Sequence, residues 1–241
     1  MCINNCVSDP SKRKLFKYSA GIAALATVGS LPSISYAASL TKDERDKMTP
    51  DDVIKSLIKG NKRFTTDSVL NHDYRAQKQT SQHGQFPSAV ILSCIDSRAP
   101  AEIILDAGIG DLFNSRVAGN VSNDDILGSM EFACAAAGAK VVFVMGHTKC
   151  GAVKGAIANV QLGNLTGLLD KIKPAIDKTK YKGVRSADNY EFIDAVAETN
   201  VKLTINDIRK NSSTLRALEN EGKIKIVGAM YDISNGKVTL I

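Results

Sequence analysis

Two short runs of uninterrupted apolar residues constrain this chain more than anything else in it. They are Ala89-Val90-Ile91-Leu92, inside Ser88 to Ser93, and Val141-Val142-Phe143-Val144-Met145. Four or five residues are too few for a buried helix, and neither run alternates apolar with polar, so both read as strands covered on both faces. Such strands need helices above and below them, and the intervening segments supply these. Asp124 to Ala137, ended by Gly138, predicts a helix, as do Cys150 to about Val160, Leu165 to Lys178 with a kink at Pro174, Asp188 to Arg209, and Leu215 to Asn220. Upstream, Thr49-Pro50-Asp51-Asp52 gives a helix start with Thr49 as cap and Pro50 at the first position. Val53, Ile54, Leu57, Ile58 and Phe64 continue its apolar stripe. Residues 111 to 117 add a further strand, and Lys223 to Asp232 with Lys237 to Ile241 read as a hairpin around Asn235-Gly236. Strand–helix alternation predicts an α/β fold, a central mostly parallel β-sheet flanked by helices. Residues 41 to 48 read as a charged linker, and residues 65 to 87 as a long polar, irregular stretch of the kind that borders a site or wraps a partner.

The N-terminus belongs to a different class of segment. Lys12-Arg13-Lys14 with Lys17 precedes an uncharged apolar run from Tyr18 to Leu31, and Ser35-Tyr36-Ala37 puts small residues where a signal peptidase reads. Residues 1–37 are therefore expected to be an export signal and residues 38–241 a single catalytic domain. The run is shorter than the roughly 20 apolar residues of a membrane span, and neither Cys2 nor Cys6 follows it, so no stable membrane anchor is expected after cleavage. Ser11-Lys12-Arg13-Lys14-Leu15-Phe16-Lys17 resembles a twin-arginine signal with Lys12 in place of the first Arg; general secretion is an equal contender. By either route the mature protein is expected in the periplasm. Removing residues 1–37 takes four basic and one acidic residue with it and lowers the net charge from +6 to +3. With aromatics at 5% and no Trp, that charge is no nucleic-acid footprint.

In parallel sheets ligands gather at the carboxyl ends of strands, and two strands here end in soft metal donors. One ends Ser93-Cys94-Ile95-Asp96-Ser97-Arg98, the other Gly146-His147-Thr148-Lys149-Cys150-Gly151. In an exported protein the first expectation for Cys94 and Cys150 is a disulfide, but these surroundings favour a metal. Two thiolates, one imidazole and an open fourth position make a catalytic zinc arrangement, since a structural site closes with a fourth Cys or His. Cys150 also opens a helix, where the dipole favours the thiolate. Asp96 stands two residues from a metal thiolate, and Arg98 two further on can hold its carboxylate by charge-assisted contacts. So oriented, Asp96 can accept a hydrogen bond from a metal-bound water and assist its deprotonation. Cys134, in an apolar helical run, reads as a small buried hydrophobe.

Cys94-x-Asp96-x-Arg98, the segment Asp111 to Asn120, and His147-x-x-Cys150-Gly151 together resemble the three signature blocks of β-class carbonic anhydrases, in order and at family-like spacing. The resemblance covers residue 50 to the C-terminus. It implies one zinc per chain, a homodimer or higher homo-oligomer with sites near the subunit interface, and reversible hydration of CO2 to bicarbonate and a proton by zinc-bound hydroxide. It further implies that Phe113 and Phe132 line an apolar CO2 cleft, and that Gln85 hydrogen-bonds substrate, often across the dimer. Gly151, by the same resemblance, lets the backbone approach the bound anion. Members with an inhibitory bicarbonate pocket carry Trp three residues before the first zinc cysteine; Ile91 stands there, so that switch is not expected. In some members the Asp itself ligates zinc and closes the site. His72 and His83 lie in the irregular stretch, where a histidine can shuttle protons but is more often idle. Two rival functions stand beside this one: hydrolysis of carbonyl sulfide or carbon disulfide on the same scaffold, and a non-catalytic zinc module, which leaves the Asp96–Arg98 pair unexplained.

Overall fold

The computed structural model describes residues 35–241. The expected export signal, with Cys2 and Cys6, lies outside the described residues except for its last three. Five strands form the main sheet: β3 (Ala89–Ser93), β4 (Leu112–Arg116), β5 (Val141–His147), β6 (Lys225–Tyr231) and β7 (Val238–Leu240). Their order is β4-β3-β5-β6-β7, with the first four parallel and β7 returning antiparallel. A separate parallel pair joins β1 (Ser35–Tyr36) to β2 (Asn71–His72).

Every residue of β3 and β5 is buried, which is why these strands lack alternation. Their side chains divide between two layers. Val90, Leu92, Val142 and Val144 pack against Met130, Val201, Ile205, Ile208 and Leu215. These come from α5 (Asp124–Glu131), α9 (Tyr190–Asn211) and α10 (Ser213–Asn220). Ala89, Ile91, Phe143 and Met145 face Val53, Leu57 and Ile104 of α2 (Pro50–Thr65) and α4 (Ala101–Ile104). Each fully buried Val, Ile or Phe contributes roughly 1.5–3 kcal/mol, so these two layers dominate the stability. A third cluster closes the carboxyl end of the sheet, where Val153, Ile172, Phe192, Ile193 and Val196 surround Cys94 and Cys150. It draws on α6 (Gly151–Ile157), α7 (Gly163–Asp170), α8 (Lys173–Lys178) and α9. Gly146 lets α9 lie close on β5: a Cβ there would stand 2.6 Å from Val201 Cγ2.

Four segments differ from the sequence expectation. Residues 41–48 are not a linker but hold α1 (Lys42–Lys47), started by a Thr41–Glu44 capping box. The stretch 65–87 contains α3 (Tyr74–Ser81), capped by Asp73, whose carboxylate accepts from Ala76 N–H at 2.9 Å. Apolar periodicity cannot reveal α3, because its buried residue is Gln77. The helix expected over 165–178 is two, α7 and α8, since Pro174 lacks the N–H to continue one and sits in the first turn of α8. The helix expected over 124–137 widens after Glu131 into a π-turn, Phe132–Ala136, before Gly138 at φ +82°. Among the described residues no helix is long and apolar enough to cross a membrane.

Candidate metal centre

β3 and β5 are neighbours in parallel register, Ser93 opposite Met145, so both chains leave the sheet at the same end. Cys94 follows β3 directly. His147 is the last residue of β5, and the turn 148–150 delivers Cys150 as the residue capping α6. Their donor atoms all lie within 4.8 Å of one another, and the three side chains are buried. Both cysteines are free thiols, so the disulfide alternative is not formed. His147 Nδ1 lies 2.9 Å from the Thr148 carbonyl, to which it donates; in the neutral ring the lone pair is then on Nε2. That Nε2 is buried without a hydrogen-bond partner. A buried acceptor without a donor, facing two thiols, fits a soft tetrahedral cation such as zinc. The Cys150 thiol beside Cys94 stabilises its thiolate, helped by the N–H groups of Gly119 and Asp96; against the penalty of burial they hold its pKa well below the ordinary thiol range. The charge so created pushes Cys150 up. The pair by itself thus holds one thiolate, at Cys94, and a second at Cys150 requires a cation between them.

Asp96 and Arg98 sit at the rim. Arg98 donates to Asp96 Oδ1 from its backbone N at 3.0 Å and from Nε at 2.9 Å, and to Oδ2 from Nη2 at 2.8 Å. These hydrogen bonds outweigh the carboxylate's partial burial and lower its pKa to about 2. Asp96 Oδ2 is 3.9 Å from His147 Nε2, so the carboxylate borders the metal position while Arg98 holds it. The loop carrying both residues is clamped from β4: Arg116 donates to the carbonyls of Cys94 at 2.9 Å and Asp96 at 2.7 Å. The turn 148–150 is fixed likewise. Lys149 takes φ +55°, a conformation unfavourable for a side-chain-bearing residue, and its N–H donates to Asp194 Oδ1 of α9 at 2.6 Å. Burial raises the Asp194 pKa. Thr148 N–H donates to Tyr231 O at 3.0 Å, tying the same turn to β6.

The expected substrate-lining residues are dispersed within one chain. Gln85 is exposed in the loop before β3. Phe113 is paired with Val90 and meets Phe132 edge-to-face at 6.1 Å. Both line a surface groove of about 570 Å³ with Val90, Gly128 and Ser129, beside β4 and away from the metal ligands. Phe132 is 55% exposed. Around Gly151 a Cβ would meet nothing within 4 Å, so its backbone is open to an approaching ligand. His72 is packed into the protein with Nε2 2.8 Å from Asp106 Oδ1, and His83 is exposed. Arg116, Gly119, Asp194 and Asn200 also act at the centre, without a role of their own assigned from the sequence. Arg116 and Gly119 stand in the 111–120 block; Asp194 and Asn200 carry no local signal, because their partners are 45 and 81 residues away.

The carbonic anhydrase family profile matches residues 89–238. Carbonic anhydrase 2 of Mycobacterium tuberculosis is 33% identical over 195 residues, covering 77% of this chain and 90% of that protein. Among solved structures, the β-carbonic anhydrase CafA of Aspergillus fumigatus aligns with a TM-score of 0.61 at 27% identity, over 79% of this chain and 91% of that one. A tetrameric β-carbonic anhydrase of Sordaria macrospora aligns with a TM-score of 0.58 at 26% identity, over 66% and 82%. The strand-end Cys–His–Cys group, the Asp96–Arg98 pair and these similarities agree, and the chain belongs to the β-carbonic anhydrase family.

Proposed function

We propose that this protein catalyses the reversible hydration of CO2 to bicarbonate and a proton, with one zinc ion held by Cys94, His147 and Cys150. The observation that carries this reading is the buried Cys–His–Cys group with the Arg98-held Asp96 at its border. Zinc in such a site makes a bound water acidic enough to ionise near neutral pH, an effect for which carbonic anhydrases are themselves the standing example. The chain's residues do the rest. Asp96, ionised and fixed in direction by Arg98, would accept a hydrogen bond from the reacting water and orient it toward CO2. Gly151 leaves room for the product anion at the start of α6.

The apolar wall for CO2 is proposed to come from a second copy. Phe113 and Phe132 project beside β4, whose outer edge is unpaired among the described residues, and a homo-oligomer joined there would bring them, with Gln85, over a neighbouring metal centre. Residues 1–37 are proposed to direct export and then be cleaved, leaving residues 38–241 as the catalytic domain in the periplasm. N-terminal sequencing of periplasmic protein checks this, with Ala38 expected first.

The test is stopped-flow CO2 hydration by the purified chain, with metal content determined on the same sample and Asp96→Asn alongside. Fast hydration with about one zinc per chain, falling roughly 10²-fold in the variant while zinc stays bound, is the expected result. Zinc without hydration anywhere from pH 6 to 9 would overturn it, and turnover of carbonyl sulfide in the same samples would then identify the related hydrolase.

A further inference from the structure

The buried stripe of α9 contains two polar residues among its apolar ones, Asn200 and Thr204, 3% and 4% exposed. Both hydrogen-bond to one turn. Asn200 Nδ2 donates to the Gly119 carbonyl at 2.7 Å, and Thr204 Oγ1 donates to the Asn120 carbonyl at 3.4 Å. That turn is unusual, because Gly119 at φ +68° and Asn120 at φ +44° are left-handed in succession. Its opposite side is walled: a Cβ at Gly119 would lie 2.6 Å from Ile172 Cδ1 and 3.4 Å from Ala152 Cβ. Held between this wall and α9, the turn aims the Gly119 N–H at Cys94 Sγ, 3.3 Å away.

We propose that Asn200, supported by Thr204, is a positioning residue for the metal centre, fixing the Gly119–Asn120 turn so that the Gly119 N–H remains on the Cys94 thiolate. A leucine would satisfy the helix stripe more simply, since a buried amide is tolerated only where its hydrogen bonds are made. An N–H donor on a thiolate draws charge from sulfur, so Cys94 gives less to the metal. Outer partners of this kind tune both the affinity and the acidity of a bound metal. Asn200 touches neither substrate nor metal and acts through Gly119.

This proposal rests on the Cys94–His147–Cys150 metal reading, and the experiment separates the two. The full chain is loaded with cobalt(II) in place of zinc, and its thiolate-to-cobalt charge-transfer band is recorded for the parent, Asn200→Ala, Thr204→Val and Ile208→Ala. Ile208 is buried on the same helix but packs in a different cluster. Without the turn held, the sulfur lone pair rises in energy and the band moves to longer wavelength. Asn200→Ala is expected to show this shift. Thr204→Val should shift the same way by less, and it decides the matter alone if Asn200→Ala fails to fold. Ile208→Ala should lower the melting temperature and leave the band in place. An unmoved band in both turn variants, or an equal shift in Ile208→Ala, overturns the positioning role. Absence of a thiolate band in the parent overturns the metal reading and this proposal with it.

Discussion

Asp96 shows how one contact decides a residue's chemistry. The Arg98 hydrogen bonds bring its pKa from the ordinary 3.8 to about 2. A carboxylate lowered in the folded state contributes stability that is complete above its unfolded value and lost as pH falls toward the folded one. The Asp96 contribution is therefore intact above about pH 4 and disappears toward pH 2, so any change in hydration rate between pH 6 and 9 belongs to another group. Arg98→Ala removes the main cause of the shift and frees a carboxylate oxygen that already stands 3.9 Å from His147 Nε2. We expect that variant to keep its metal, let Asp96 compete for the open position, and lose roughly 10²-fold in kcat/KM. Arg98→Lys should recover only part, because an ammonium cannot reproduce the fork of Nε and Nη2. An unchanged rate in Arg98→Ala would remove the pair from the mechanism. The five residues of this centre were legible in the sequence because each lies within a few positions of a strand end. Arg116 and Asp194 were not, for they act on Cys94, Asp96 and Lys149 across 20 to 45 residues of chain.

Among the elements, legibility followed the kind of side chain that does the anchoring. β3 and β5 announce themselves through continuous burial, and α2 through a capped apolar stripe. α3 is anchored instead by an amide. Gln77, fully buried, accepts from Ile109 N–H at 2.9 Å, and its Nε2 lies 3.2 Å from His72 Nδ1; in the uncleaved chain Nε2 also donates to the Tyr36 carbonyl at 2.8 Å. Replacing it with Leu would leave buried polar groups unpaired, at about 1–3 kcal/mol each. Gln77→Leu should then lower the melting temperature by roughly 5 °C or more, at about 2–4 °C per kcal/mol for a chain of this size. Amide hydrogen exchange should accelerate over residues 71–81 while β3 and β5 stay protected. Uniform exchange across the protein, or no change at α3, would show that apolar contacts rather than Gln77 hold this helix. The split of α7 from α8 is the reverse case: Pro174 was visible in the sequence, but whether a proline kinks a helix or starts a new one depends on packing around Ile172, which is fully buried there.

On the scale of the whole molecule, one chain carries a candidate metal centre and a pair of phenylalanines that do not meet. Phe113 pairs with Val90, four residues short of Cys94, which at about 3.3 Å per residue sets it some 13 Å back along the sheet from the metal end. A large aromatic left 55% exposed beside a strand edge that is unpaired among the described residues is costly in water and a hazard for unwanted pairing. Both features are accounted for if this face is covered by another copy. The sequence could hold the residues but not the assembly, because nothing in a linear pattern separates a cleft wall of the same chain from one supplied by a neighbour. Phe132→Asp tests this by placing a charge where the proposed contact is driest. Central aromatic anchors contribute about 2 kcal/mol or more, which is roughly 30-fold in a dissociation constant. Sedimentation velocity should show the variant as monomer at concentrations where the parent is assembled. Hydration should fall with assembly while zinc content stays at the parent level, since none of Cys94, His147 and Cys150 touches this face. A variant that remains assembled and fully active would exclude the β4 face as the interface and return Phe113 and Phe132 to the role of surface residues.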